Sequence, residues 1–147
     1  MKVIIGNDHG AVELKERLVA YLKKQSIEVV NRGVDTSDSV DYPDIAEDVT
    51  KEFLDGRYDF GILCCGTGIG ISMAANKVAG IRAALPQNSF AARMTKEHNN
   101  ANFICFGGRV EYGETPEAIL QAYMDAQFQG GRHQRRIDKL SALDSKR

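Results

Sequence analysis

The chain has 147 residues, 43% hydrophobic and 27% charged, with a net charge of −1 at neutral pH. That length fits one domain, able to bury a core without disulfide staples. The balanced charge gives no general field to hold nucleic acid or an acidic membrane surface, and no apolar run reaches the length of a membrane span.

Met1-Lys2-Val3-Ile4-Ile5 enters a strand-like run at once, without the apolar region and cleavage site of a signal peptide. Strands are expected at 3–6, 28–30, 61–65, 81–85 and 102–106, several of them apolar throughout, as in strands covered on both faces. Ala11, Leu14, Leu18, Tyr21 and Leu22 mark one face of a first helix, with Glu13, Lys15, Glu16, Arg17, Lys23 and Lys24 largely elsewhere. Tyr42-Pro43 opens a second helix with Ala46, Val49 and Phe53 on its apolar face, and Gly56 closes it. A third follows the glycine-rich stretch at 66–70, and a fourth runs from about 89 to 98 with Asn88 as N-cap. Thr115-Pro116 starts a fifth, with Ala118, Ile119, Ala122 and Tyr123 as its buried stripe.

Five such βα units predict an α/β fold with a parallel, right-handed, doubly wound five-stranded sheet. Gly130-Gly131 then breaks the pattern, and Ile137, Leu140 and Leu143 recur at helical spacing beyond it. Residues 1–147 therefore read as a single domain whose last part, 130–147, is a C-terminal helical arm. Its apolar stripe needs a partner, either its own domain or, as favoured here, a second subunit.

Ligands of open α/β sheets bind outside the carboxyl ends of the strands. That rule selects the stretches at 7–10, before Tyr42, and at 65–70, 86–88 and 107–109 as candidate walls. Cys64-Cys65-Gly66-Thr67-Gly68-Ile69-Gly70-Ile71-Ser72 carries the most information. Its alternate glycines, at a strand-to-helix turn, let backbone N–H groups approach an anion. It lacks the lysine of a Walker loop, the third glycine and acid of a dinucleotide fingerprint, and the arginine of a phosphatase loop. What remains is an oxyanion cradle preceded by a cysteine. Cys65 is either a small buried hydrophobe or a thiolate base. Cys64 and Cys105 lie within strands and read as structural. Three cysteines, two of them adjacent, make a poor disulfide framework and point to a reducing, cytoplasmic compartment.

Arg132 and Arg136 share a helix face, either as a solvated basic surface or as a grip on a phosphate dianion. The patch is short and lacks interleaved aromatics, which disfavours nucleic acid. His9 and His98 are both expected near the carboxyl ends of strands or on helices facing them. Asp8 either holds a ligand hydroxyl or caps the first helix. Asp8, His9, His98 and the cysteines show no compact zinc-ligand spacing.

Taken together, Gly-Asn-Asp-His-Gly at 6–10, Asp-Tyr-Pro at 41–43, the run from Cys65 through Lys77, Gly-Ile-Arg-Ala-Ala at 80–84, Glu-His-Asn at 97–99, Phe-Gly-Gly-Arg-Val at 106–110 and Gly-Gly-Arg-His-Gln-Arg-Arg at 130–136 resemble the type B ribose-5-phosphate isomerases. The wider family includes allose-6-phosphate and galactose-6-phosphate isomerases. The likeness extends to about residue 140. It implies a Rossmann-like, dimeric or tetrameric protein with sites shared between subunits, acting in the pentose phosphate pathway on a sugar phosphate without metal or organic cofactor. It implies Cys65 as the base between C2 and C1, with the backbone of Gly66, Gly68, Ile69 and Gly70 cradling the enediolate and Thr67 assisting. His98 would open the furanose ring and Asn99 contact the sugar. Asp8, His9 and Tyr42 would line the site, and Arg109, Arg132 and Arg136 bind substrate, the last two at its phosphate. Asn7, Pro86-Gln87 and Glu111-Tyr112-Gly113 depart from the family pattern. His98 and the Gly-Gly-Arg-His tail favour the ribose branch over the galactose branch.

Overall fold

Val3, Ile4 and Ile5 are all fully buried, as are Ile62, Leu63 and Cys64. Successive strand residues face opposite sides of a sheet, so such runs need cover on both faces. The computed structural model, which describes residues 1–146, supplies that cover. Five strands, β1 (Lys2–Asn7), β2 (Glu28–Asn31), β3 (Phe60–Cys65), β4 (Ala83–Ala84) and β5 (Phe103–Gly107), form one sheet in the order β2-β1-β3-β5-β4. Every neighbouring pair is parallel.

The crossovers are α1 (Val12–Lys24), α2 (Tyr42–Asp55), α3 (Ile69–Ala75) and α4 (Ser89–Glu97), followed by α5 (Pro116–Asp125) and α6 (Arg132–Ala142). Leu14, Leu18 and Leu22 of α1, Ala92 of α4 and Ile119, Leu120 and Tyr123 of α5 pack on the face carrying Val3, Ile5, Ile62, Cys64, Ile104 and Phe106. Ala46 and Val49 of α2 and Ile71 and Ala75 of α3 pack on the other, with Ile4, Leu63, Cys65, Phe103 and Cys105. Each fully buried Ile or Leu here contributes about 1.5–3 kcal/mol of transfer free energy.

The chain leaves β1 outward to β2, then crosses back to β3 on the other side of β1. The crevice between the carboxyl ends of β1 and β3 is thus a topological switch point, the place where such sheets receive ligands.

Several expectations change in detail. The strand expected at 81–85 shrinks to Ala83–Ala84, an edge position bounded by the left-handed Gly80 and by Pro86. Ala11 belongs to a short 3-10 turn, His9–Ala11, that Asp8 caps by accepting the Gly10 N–H at 2.8 Å. Helix α3 begins at Ile69, inside the glycine stretch. Ala118 is exposed, the buried stripe of α5 being Ile119, Leu120 and Tyr123. Lys15, assigned to the polar face of α1, is only 1% exposed.

The arm returns along its own domain as far as described. His133 stacks on His98 and Asp144 accepts the Gly80 N–H at 2.9 Å. Leu140 and Leu143 remain 47% and 51% exposed. The final position of the arm, 147, lies outside the described residues.

Candidate active site

Strand β3 ends at Cys65, whose side chain faces α2 and α3 while that of Cys64 faces α1 and α5. Burial pushes the thiols of Cys64 and Cys105 well above their ordinary value, so both stay protonated. Cys65 differs in its surroundings. Its Sγ accepts the backbone N–H of Gly68 at 3.1 Å. Gly68 holds φ at +77°, in the left-handed region, and this turns the chain so that its amide points back at the sulfur.

The turn is clamped by its neighbours. Gly108 N–H donates to the Cys65 carbonyl at 2.8 Å and Arg109 N–H to the Gly66 carbonyl at 2.9 Å. The Arg109 guanidinium lies over Gly66, where a β-carbon would come within 3.2 Å of Nη1. Thr67 is exposed, and its Oγ1 accepts the Ile69 N–H at 3.2 Å, which leaves the hydroxyl hydrogen to donate. The Tyr42 ring lies over Gly70, where a β-carbon would come within 2.5 Å of Cζ.

The loop after β1 forms the facing wall. Asp8 N–H donates to the Cys64 carbonyl at 3.1 Å, and a β-carbon on Gly10 would come within 2.9 Å of the Gly66 nitrogen. His9 Nδ1 accepts the Val40 N–H at 3.2 Å. An acceptor Nδ1 places the proton of the neutral ring on Nε2. Asp8, His9, Tyr42, Cys65, Gly66, Thr67, Gly68, Ile69, Gly70 and Arg109 therefore gather at the carboxyl ends of β1 and β3.

The remaining candidates do not join them within one chain. His98 and Asn99 follow α4 and precede β5. The parallel register pairs Cys65 with Gly107, the last residue of β5, so its first residue, Phe103, lies at the far end of the sheet. At about 3.3 Å per residue, β5 alone separates the two groups by about 13 Å. Of the two placements expected for His98, near the carboxyl ends of strands or on a helix facing them, the structure puts it at the end of a crossover helix, α4, which reaches the amino ends of the strands. There the His98 ring stacks on His133 with centroids 4.2 Å apart and planes 10° from parallel. Desolvation, with the neighbouring His98, Arg132 and Arg136, pushes the pKa of His133 down. Arg132 and Arg136 are exposed beside this pair. One chain thus presents two separate groups of candidate residues at opposite ends of its sheet, one with a thiol and a glycine turn, the other with imidazole and guanidinium groups.

Two buried polar side chains lie behind the glycine turn: Asn7, noted above as a departure from the family pattern, and Lys15, which the motif reading missed. Asn7 is fully buried, and its Nδ2 donates to the carbonyls of Asp8 at 2.9 Å and Val34 at 3.0 Å. Lys15 donates to the same Val34 carbonyl at 3.1 Å. The available signal was spacing: Lys15 lies four residues after Ala11 and three before Leu18, on the apolar face.

A parallel doubly wound sheet with a thiol and a glycine turn at its switch point places the protein among the α/β proteins whose sheets receive ligands at the carboxyl ends of their strands. Within that class, residues 3–140 match the family model described as Ribose/Galactose Isomerase. The chain is 41% identical over 146 residues to ribose-5-phosphate isomerase B of Escherichia coli (strain K12), covering 99% of this chain and 98% of that one. It is 37% identical over 141 residues to D-erythrulose-4-phosphate isomerase of Pectobacterium atrosepticum, covering 95% and 93%. The structure of ribose-5-phosphate isomerase B from Clostridium thermocellum superimposes with a TM-score of 0.95 at 46% identity, covering 99% of both chains. The chain belongs to the ribose/galactose isomerase family.

Proposed function

We propose that the protein interconverts D-ribose 5-phosphate and D-ribulose 5-phosphate through an enediolate, with Cys65 as the base. The observation that carries this reading is the Cys65 sulfur held against the Gly68 amide at 3.1 Å, in a chain of this family. The names of the Escherichia coli and Clostridium thermocellum relatives support the ribose substrate.

In the open-chain aldose the Cys65 thiolate removes the C2 proton. The electron pair forms the C1–C2 double bond and the aldehyde oxygen becomes anionic. Returning the proton to C1, with transfer of the O2 proton to O1, gives the ketose. The sulfur is restored and the substrate undergoes no net loss of electrons. The Gly66 and Gly70 amides and the Thr67 hydroxyl offer donors to the developing oxyanion, while the Gly68 N–H is held on the sulfur and the Ile69 N–H on Thr67 Oγ1 until substrate competes for them. Asp8, His9, Tyr42 and Arg109 orient the sugar.

Ring opening needs an acid, and the phosphate needs cations. We assign these to the partner's His98, Asn99, Arg132 and Arg136, in a homodimer whose site brings one end of each sheet together. The separation of the two groups of residues within one chain supports this arrangement. Phosphate binding remote from C1 and C2 supplies energy for orientation at the reacting carbons. Three free cysteines suit a cytoplasmic setting.

Incubation with ribose 5-phosphate in deuterium oxide tests the reaction. Ribulose 5-phosphate carrying carbon-bound deuterium is the expected product, and tight binding without turnover or exchange contradicts the proposal. The Pectobacterium relative favours a second reading, in which a four-carbon sugar phosphate is preferred. Comparing kcat/KM across four-, five- and six-carbon phosphates decides between them.

A further inference from the structure

Lys15 carries an ammonium whose side chain is 2% exposed, yet the partner that answers its charge, Asp35, is 70% exposed. A buried cation held this way requires nearly all of its hydrogen-bonding capacity to be met locally. Lys15 Nζ donates to the Asp35 carboxylate and to the Val34 carbonyl. That carbonyl takes a second buried donor, Asn7 Nδ2. Asn31 Nδ2 also donates to Asp35, at 3.2 Å, and Val34 N–H donates to the Asn7 carbonyl at 3.3 Å. Five hydrogen bonds therefore converge on two adjacent residues of an otherwise irregular segment.

That segment runs from β2 to α2 and passes over the carboxyl end of β1. Its far end makes two contacts with the cleft. Val40 donates its N–H to His9 Nδ1, and Tyr42 covers Gly70. A long connection without regular structure has no ladder to fix its path, so its anchored root sets where its tip lies. Asn7 adds a second sign of purpose. Its Oδ1 is, among the described residues, the buried side-chain polar atom without a hydrogen-bond partner. The amide is oriented to donate toward Val34 even though its own oxygen is left unmet.

We propose that Lys15 is a positioning residue of the Cys65 cleft. With Asn7 it fixes the strap at 32–41, and through Val40 and Tyr42 the strap holds the His9 imidazole and the aromatic wall where the sugar phosphate binds. Lys15 itself touches no substrate. The assignment rests on the proposed reading of the cleft as a sugar-phosphate site.

Lys15→Met keeps most of the aliphatic length and removes the ammonium. KM for ribose 5-phosphate rises about tenfold while kcat stays within about twofold, because the loss falls on substrate binding. Amide exchange at Val40 accelerates at least about tenfold, while exchange at Ile62 and Ile104 in the core is unchanged. Should Lys15→Met fail to fold, Asp35→Asn at the exposed end of the pair gives the same pattern at about threefold. Unchanged KM and unchanged Val40 exchange overturn the proposal. So does parallel loss of protection at Val40, Ile62 and Ile104, which makes Lys15 a general stabiliser. If the wild-type protein turned over no sugar phosphate, the reading of the cleft would fail alone, and Val40 exchange would still decide whether Lys15 holds the strap.

Discussion

The Gly68 amide is directed at the sulfur of Cys65, three residues earlier, across a turn that only a left-handed residue closes. The proposed base and the proposed oxyanion donors therefore share one piece of backbone, fixed to β3 on one side and to the loop after β5 on the other. The first expected consequence concerns Gly68 itself. Alanine there keeps an unfavourable φ of +77° and places a β-carbon 2.6 Å from Leu85 Cδ1 and 2.8 Å from the Phe106 carbonyl carbon. Leu85 can shift, but the Phe106 main chain is held in the sheet. Gly68→Ala should lower kcat about 100-fold and unfolding free energy by about 2 kcal/mol. Steady-state kinetics and urea unfolding measure the two.

Gly70→Ala separates geometry from strain. The residue lies within α3, so alanine suits its backbone, and the conflict is a 2.5 Å approach to the ring of Tyr42. Tyr42 is 39% exposed and can swing outward. KM should rise about fivefold with little change in melting temperature. Tyr42→Ala should raise KM comparably, and the double variant should add little, because both changes remove the same wall.

The proposed sharing of sites between subunits makes a prediction about mixtures. Cys65→Ala and His98→Ala homodimers are each expected to be inactive. A hybrid of the two holds one site with both changes and one with neither. Random reassortment makes half the dimers hybrids, so about a quarter of wild-type activity should return. Sites contained within single chains would return none.

Alkaline stability follows from the buried thiols. Cys64 and Cys105 have folded pKa values raised by desolvation above the ordinary 9.0. Below that pH both states keep the protons and nothing changes. Above it the unfolded chain releases them while the folded chain retains them, so stability falls as pH rises. The slope approaches about 1.4 kcal/mol per pH unit for each thiol. Urea unfolding between neutral and strongly alkaline pH should show this fall, and a Cys64→Ala, Cys105→Ala variant should show a shallower one.

Much of this architecture was legible because local signals agreed with the tertiary outcome. The apolar runs of β1, β3 and β5 announced strands covered on both faces. Asn88 caps its helix as expected, accepting the Ala91 N–H at 2.8 Å, and the fifth helix starts where Thr115-Pro116 marked it, with Thr115 accepting the Ala118 N–H at 3.2 Å. Cys65 stands at the strand end where the glycine turn begins. Other features depend on relations that composition and periodicity do not carry. The end of the sheet reached by His98 follows from parallel register, not from local pattern. Lys15 looked solvated because its charge outweighed its place on the apolar face, and only Asp35 and Val34, distant in sequence, make its burial tolerable. The brevity of β4 reflects its edge position, where pairing on one side alone sustains a single ladder.

The proposed proton-transfer role of Cys65 is tested most directly by replacing its sulfur and measuring turnover and affinity on the same preparation. For Cys65→Ala the expected result is a fall in kcat of at least about a thousandfold, with ribose 5-phosphate still bound at near wild-type affinity by calorimetry. Turnover close to that of the wild type would contradict the assignment, since no other thiol in the chain is placed to replace it.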